Sequence, residues 1–336
     1  MPSLERESHR IVIAGASSLL GAELKSLLEE SKFAGWDFRL LDEEDAAGTL
    51  TEAGGEATVI QPVEEGSFEK ARFIFFTGSS DFALANFEAA QRSGAVIIDL
   101  SGHSINAVNT FVWYPGIAAH RGRSFPEQPH LTAIPSAAAE AVVRLSLALR
   151  EFDLKHMAVT VLQPVSASGK AGIEELETQT SQLLSFQPPG KQVFDAQVAF
   201  NSLDRFGPAR QAASQGARCN LRNEISGCLR SEGVLPAVEL IHVPVFYGVA
   251  FSACVKLSLG ADEERISDAC KQSGFTVLDE WGVGPSNMSA AGETIIQLSK
   301  PHKDFLQPES WWFWGAADNI RLPAWNAVRL AEKLTP

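Results

Sequence analysis

The chain has 336 residues, 45% of them hydrophobic and 21% charged, with a formal net charge of −13. This length suits two domains, and this composition is that of a soluble globular protein. The negative balance excludes a nucleic-acid partner held by clustered positive charge, and it gives no pull toward anionic membrane surfaces. No stretch is apolar for long enough to span a bilayer. The first ten residues are polar and charged, with no secretory h-region. A cytoplasmic protein is therefore expected. The cysteines, Cys219, Cys228, Cys254 and Cys270, match neither a zinc-ligand spacing nor a CxxC motif, so no metal site is expected.

In chain order, Ile11–Ala14 is an apolar run that leads into Gly15, Ala16, Ser17, Ser18, Leu19, Leu20 and Gly21. Residues 22–30 then carry helical spacing, with Leu24, Leu27 and Leu28 on one face. Strand, small-residue turn and helix together open a dinucleotide-binding βαβ unit. Gly15 allows a sharp turn and Gly21 close helix packing, while the helix N-terminus offers N–H groups to a phosphate. Ser18 stands where such loops carry their middle glycine.

A second strand is expected at 37–41, and its end is where the adenosine ribose is read. Asp42, Glu43, Glu44 and Asp45 follow it. Carboxylates accept from a ribose 2′-OH and repel a 2′-phosphate, so NAD is favoured over NADP. Residues 48–66 suggest a hairpin at the sheet edge. Further strands are expected at 73–76, 95–99 and 130–134, with a helix at 81–92 and a polar loop at 120–129. This alternation is the doubly wound α/β pattern, in which ligands bind at the strand C-termini. Residues 137–150 read as a helix with a Val142, Leu145, Leu149 stripe.

Beyond it the pattern changes. A long strand is expected at 157–167 and a helix at 169–186. Residues 202–217 read as loop and 221–229 as a helix piece. Strand-rich sequence covers 240–259, interrupted at Tyr247–Gly248, with further strands at 294–298 and 311–314. This suggests a mixed or antiparallel sheet in an α+β domain, half covered by helices and suited to a partner subunit. A helix at 318–333 is expected to return to the first domain. The expected organisation is a dinucleotide-binding domain, 1–134 with 318–336 packing back, and a substrate and dimerisation domain, 135–317.

Several patches carry a family resemblance: the 15–21 loop, Val96–Ser101, Gln163–Gly169 with Glu174–Leu176, Val243–Gly248, and Ala317–Arg321 with Asn326–Val328. Their order and content resemble aspartate-β-semialdehyde dehydrogenase over residues 10–334. The resemblance implies an α/β fold, a Rossmann-type domain plus an α+β dimerisation domain, assembled as a homodimer. It also implies a reaction, NADPH-dependent reductive dephosphorylation of aspartyl-4-phosphate, in which a cysteine thiolate attacks and a histidine moves protons.

Matched position by position, the chemistry is missing. Ala137 occupies the cysteine position and Val249 the histidine position. Tyr247 and Ile105 replace two anion-gripping arginines, and Gly227 replaces a lysine. Gln163 and Glu224 are kept, and Asp318 and Asn319 match the closing motif near the cofactor. Ser136 beside Ala137 reads as a helix N-cap, with no base near it in sequence. Cys254, an odd number of residues past Val249, falls on the opposite strand face. His103 and His242 read as loop and core histidines, and Trp311–Trp314 as core or interface payload. A subgroup, the Usg-type paralogues, also has Tyr–Gly after Val–Phe and lacks the cysteine. The expectation is a homologue without the family activity. Two alternatives stay open: an NAD(P)-dependent dehydrogenase with an altered substrate, and a nucleotide-sensing regulatory protein.

Overall fold

Strand β1 (Arg10–Ala14) is buried from Ile11 onward, and this follows from its sequence: only a central strand covered on both faces takes an unbroken apolar run. In the computed structural model the described residues are 9–53, 55–117, 126–127, 129–230, 232–258, 261–279 and 282–335. They divide into two units. The first comprises the described residues of Met1–Tyr114, Phe125–Pro135 and Pro323–Pro336, and the second those of Pro115–Ser124 and Ser136–Leu322. Most of the loop expected at 120–129 lies outside the described residues.

In the first unit β1 is followed by α1 (Leu19–Glu29), β2 (Asp37–Asp42), β3 (Leu50–Ala53), β4 (Glu56–Val59) and β5 (Gln61–Pro62). Then come β6 (Phe73–Phe76), α2 (Ser80–Arg92), β7 (Val96–Asp99), β8 (Phe111–Val112) and β9 (Leu131–Ala133). Seven of these strands form a parallel sheet in the order β5-β2-β1-β6-β7-β9-β8. The expected hairpin forms as the separate pair β3-β4. The short strand β8 has no counterpart in the expected elements: two residues carry no readable period. The chain moves from β1 out to β2 on one side and later to β6 on the other. The turn after β1 therefore lies at a topological switch point, where open α/β sheets bind ligands.

The second unit contains α3 (Ala137–Ala148), β10 (His156–Gln163), α4 (Gly169–Leu184), α5 (Gln211–Leu229), β11 (Ala237–His242) and β12 (Val249–Lys256). After these come α6 (Glu263–Gln272), β13 (Phe275–Leu278), α7 (Asn287–Ala290), β14 (Ile296–Ser299), β15 (His302–Lys303) and β16 (Ser310–Ala317). The sheet runs β11-β10-β12-β16-β14-β13, with β15 on β16, and it is the mixed one of the two expected arrangements, with parallel and antiparallel pairs. Helix α3 packs on β10, β12 and β16, α5 on β11 and α6 on β13. The opposite face carries the half-buried Thr160, Ser252, Cys254 and Trp314 and the exposed Trp312. The Trp311–Trp314 run is thus split by strand alternation: Trp311 and Phe313 are core, Trp312 and Trp314 are not.

Three expected bounds change, and one helix is additional. The strand expected to reach 167 ends at Gln163, because Pro164 has no N–H for the ladder, and a 3-10 turn at Val165–Ser168 follows. The region expected as loop at 202–217 contains the first turns of α5. Those turns expose Gln211, Ala212, Ala213 and Gln215, so no apolar stripe marked them. Helix α6 has no counterpart among the expected elements, although Asp262 caps it and Glu263 and Glu264 occupy its first turn. The last helix, α8 (Arg321–Lys333), starts three residues later than expected, because Asp318 accepts from the N–H groups of Ile320 and Arg321. In the first unit, Lys32 at the end of α1 donates to the carbonyls of Glu332 and Thr335 at 2.7 and 2.9 Å, which ties down the end of α8.

Candidate functional site

In the first unit the loop after β1 is a close-packed knot. Gly15 has φ +97°, and a Cβ there would lie 2.1 Å from Gly78 N. A Cβ on Gly21 would lie 2.4 Å from Gly15 O. Both positions therefore need glycine, one for the turn and one for the close approach of α1. Ser18 caps α1: its hydroxyl accepts from Gly21 N at 2.9 Å, and the carbonyls of Gly15 and Thr77, 2.8 and 2.9 Å away, share its one proton. The N–H groups of Gly15 and Ala16 are taken by Leu41 O, and that of Ser18 by Gly15 O. Ser17 N donates to Asp42 Oδ2 at 2.7 Å, and Glu43 N to Asp42 Oδ1 at 2.9 Å. Asp42, 7% exposed, is thus fixed at the end of β2 beside the loop. Glu43 is exposed and accepts from Ser79 Oγ at 3.3 Å. Leu19 and Leu20 are half-buried at the helix start.

At the end of β7, Asp99 is fully buried and accepts four hydrogen bonds. They come from the N–H and Oγ of Ser101 at 2.8 and 2.6 Å, and from the N–H and Oγ of Ser104 at 2.7 and 2.6 Å. The turn it holds carries His103, whose ring packs edge-on against Phe87. Ile105 is buried at 2% exposure, an apolar core position.

The second unit brings together motifs that are far apart in the chain. The N–H groups of Val165 and Ser166 donate to the carbonyls of Val245 and Phe246, at 3.0 and 3.2 Å. Asn319 bridges the two segments, accepting from Gly248 N at 2.9 Å and donating to Ser166 Oγ at 3.1 Å. Asp318 accepts from Gly292 N at 2.7 Å. Gly248 has φ +82°, and a Cβ there would lie 2.5 Å from Asn287 O. Asp318 and Asn319 thus spend polar atoms on their own unit.

The positions matched to catalytic residues lie in the same unit. Ala137 is the first residue of α3 and is 1% exposed. Val249, the first residue of β12, is 3% exposed. Parallel pairing sets Gln163 level with His242. On its other side β10 pairs with β12 as far as Leu162–Ala250, so Gln163 stands level with Val249. Tyr247 is exposed, and Gly227 is buried within α5. His242 packs on Phe206 with ring centroids 4.3 Å apart. Burial, with a smaller contribution from Arg218, holds its pKa down to about 4, so the ring is neutral at pH 7.

Two of these contacts leave no mark in the sequence, because they come from strand register and helix packing. One is His242 beside Gln163. The other is Glu224 on α5, whose carboxylate accepts a short hydrogen bond from Ser136, 88 residues away. Ser136 also caps α3 by accepting from Ala139 N, which is the role its position suggested. Cys254 lies on the strand face opposite Val249. Burial, and then Asp304, push its thiol pKa up, the wrong direction for a nucleophile. Among the described residues no group of three or more His, Cys, Asp or Glu is arranged to hold a metal ion. No helix among them is long and apolar enough to cross a membrane.

Comparison with known proteins identifies the scaffold. Residues 10–112 match the model of the semialdehyde dehydrogenase NAD binding domain, and residues 146–322 that of the semialdehyde dehydrogenase dimerisation domain. The chain belongs to the semialdehyde dehydrogenase family. It is 28% identical to a USG-1 protein homolog of Azotobacter vinelandii, over 96% of this chain and 97% of that protein. It is 26% identical to aspartate-semialdehyde dehydrogenase 2 of Vibrio cholerae, over 98% of both. A solved structure of a probable aspartate-semialdehyde dehydrogenase from Pseudomonas aeruginosa superposes with TM-score 0.84 at 26% identity, covering 97% of this chain and 98% of that one. Within the semialdehyde dehydrogenase family the chain is a Usg-type member, and its NAD-binding and dimerisation domains are both present.

Proposed function

We propose that this semialdehyde dehydrogenase homologue does not carry out the reductive dephosphorylation of aspartyl-4-phosphate. The observation that carries this is the pair Ala137 and Val249, both buried, at the positions matched to the family's nucleophile and proton carrier. Neither side chain can bond to an acyl carbon or move a proton. Gln163, the residue kept from that set, can orient a carbonyl oxygen but cannot replace a thiolate.

The chain retains nucleotide binding in its first unit and favours NAD over NADP. Supporting this, Asp42 is held by two backbone N–H groups at the end of β2, and the exposed Glu43 carboxylate next to it opposes a 2′-phosphate. The protein acts as a cytoplasmic homodimer, organised as a cofactor domain over 1–134 and a substrate and dimerisation domain over 135–317. The half-buried face of the mixed sheet, with Trp312 exposed on it, suits a partner subunit.

The test is an assay of the full chain with aspartate semialdehyde, phosphate or arsenate, and NAD or NADP. Turnover at the level of an active family member run alongside would overturn the proposal. So would a covalent acyl adduct found by mass spectrometry after incubation with an acyl phosphate. Thermal shift with each cofactor checks the nucleotide preference, with NAD expected to raise the melting temperature more than NADP.

A further inference from the structure

The turn that joins β15 to β16 carries Phe305 and Leu306 at its tip, 97% and 83% exposed. Two adjacent large apolar side chains left in water mark a surface that something else covers. The backbone that presents them has a fixed shape. Asp304 accepts from the N–H groups of Leu306 and Gln307 and from the indole Nε1 of Trp312, each at 2.9 Å. Asp304 N donates to Ser310 O, and Ser310 N to Gln307 O, both at 2.8 Å.

The same bonds tie the tip to the open face of the mixed sheet. Trp312, the donor to Asp304, is exposed on that face and pairs across the strands with the half-buried Cys254. Tip and sheet face are thus joined through one side chain. The charges suit a copy of the same surface. The chain carries −13 overall, so two copies repel over most of their area. Around the tip the signs balance, Lys300 and Lys303 against Asp304 and Glu309. A two-fold interface sets one surface against itself, which a patch holding both signs permits.

We propose that Phe305 and Leu306 form an arm that packs on the mixed sheet of a second copy of this chain, with Asp304 and Trp312 holding the arm in its bound shape. This rests on the proposal that the protein is a homodimer, and it names the residues that supply the affinity. Area supports this choice of partner. A buried Phe removes roughly 200 Å² from water, so two arms with their leucines supply several hundred of the about 1,600 Å² that a standard interface buries. The sheet faces supply the rest.

Sedimentation of the full chain over a dilution series tests it, with the variants Phe305→Ser/Leu306→Ser, Asp304→Ala and Phe186→Ser alongside. Phe186, 99% exposed just beyond α4, controls for the loss of any exposed aromatic ring. The double variant is expected to weaken the dimer about a hundredfold or more, because a hot spot is lost from each of two arms. Asp304→Ala keeps both apolar side chains but releases the turn, and should weaken it about tenfold through lost preorganisation. Phe186→Ser should stay within about threefold of the unaltered chain. The far-UV circular dichroism of each variant verifies its fold. A dimer that the double variant leaves within about threefold of the unaltered one overturns the inference and leaves the homodimer standing. So does a dimer that Phe186→Ser weakens as much as the double variant. Asp304→Ala with unaltered affinity overturns the holding role of Asp304, and a chain that is monomeric at every concentration overturns both proposals.

Discussion

Asp99 offers the sharpest test of the physical argument, because its four hydrogen bonds can be counted and its burial is complete. Asp99→Asn keeps the shape but replaces one acceptor oxygen with an NH2 group. That group then faces two donors, the N–H and Oγ of one serine. The hydroxyl can rotate to accept, but the backbone N–H cannot and is left unbonded in the interior. An unmade buried bond costs about 1–3 kcal/mol, and the other contacts lose the charge that made them stronger than neutral ones. The sum is about 3–4 kcal/mol, or a fall of roughly 10 °C in the melting temperature of the first unit. Ser104→Ala removes one hydroxyl donor, spares the N–H and should cost about 1 kcal/mol, while Ser101→Ala also removes the acceptor of the His103 N–H and should cost about 1–2 kcal/mol. Differential scanning calorimetry of the four proteins makes the comparison. If Asp99→Asn melts within about 2 °C of the unaltered chain, a shift worth less than about 1 kcal/mol, the turn after β7 is not held as described.

Three other outcomes are expected. Gly248→Ala combines left-handed backbone with a Cβ 2.5 Å from Asn287 O, and should cost more than about 3 kcal/mol in urea unfolding. Arg144→Leu removes the guanidinium from the fully buried Glu140 and from the carbonyls of Ser273 and Pro115, at a cost of about 3–5 kcal/mol. The double variant Glu140→Leu/Arg144→Leu should recover much of that, since no buried carboxylate is left behind. His242 has a folded pKa of about 4, below its unfolded value, so its contribution to stability is intact above about pH 6.5. That contribution is lost as pH falls toward 4, because the unfolded chain takes up the proton first. His242→Phe should flatten this limb of the stability profile, measured by denaturant midpoints between pH 4 and 7.

The chain by itself determined its fold class and the residue types at the positions matched to the family's catalytic ones. Runs such as Ile11–Ala14 and Phe73–Phe76 leave no solution but covered parallel strands, and the identities of Ala137 and Val249 hold in any conformation. Turn chemistry was legible too: Gly15, Gly21 and Ser136 do locally what their residue types require. Tertiary structure decided everything that depends on partners remote in sequence. The Ser136–Glu224 contact, the level of Gln163 with His242, and the Asn319 bridge between Ser166 and Gly248 span tens to more than a hundred residues. Strand register and helix packing set those meetings, and neither leaves a local periodicity. The start of α5 was hidden for a related reason: with its first turns exposed, no apolar stripe announced it. The same holds for the nucleotide loop. Its sequence advertises the turn, but only the folded chain reveals that the Ser17 N–H is held by Asp42 and the Gly21 N–H by Ser18.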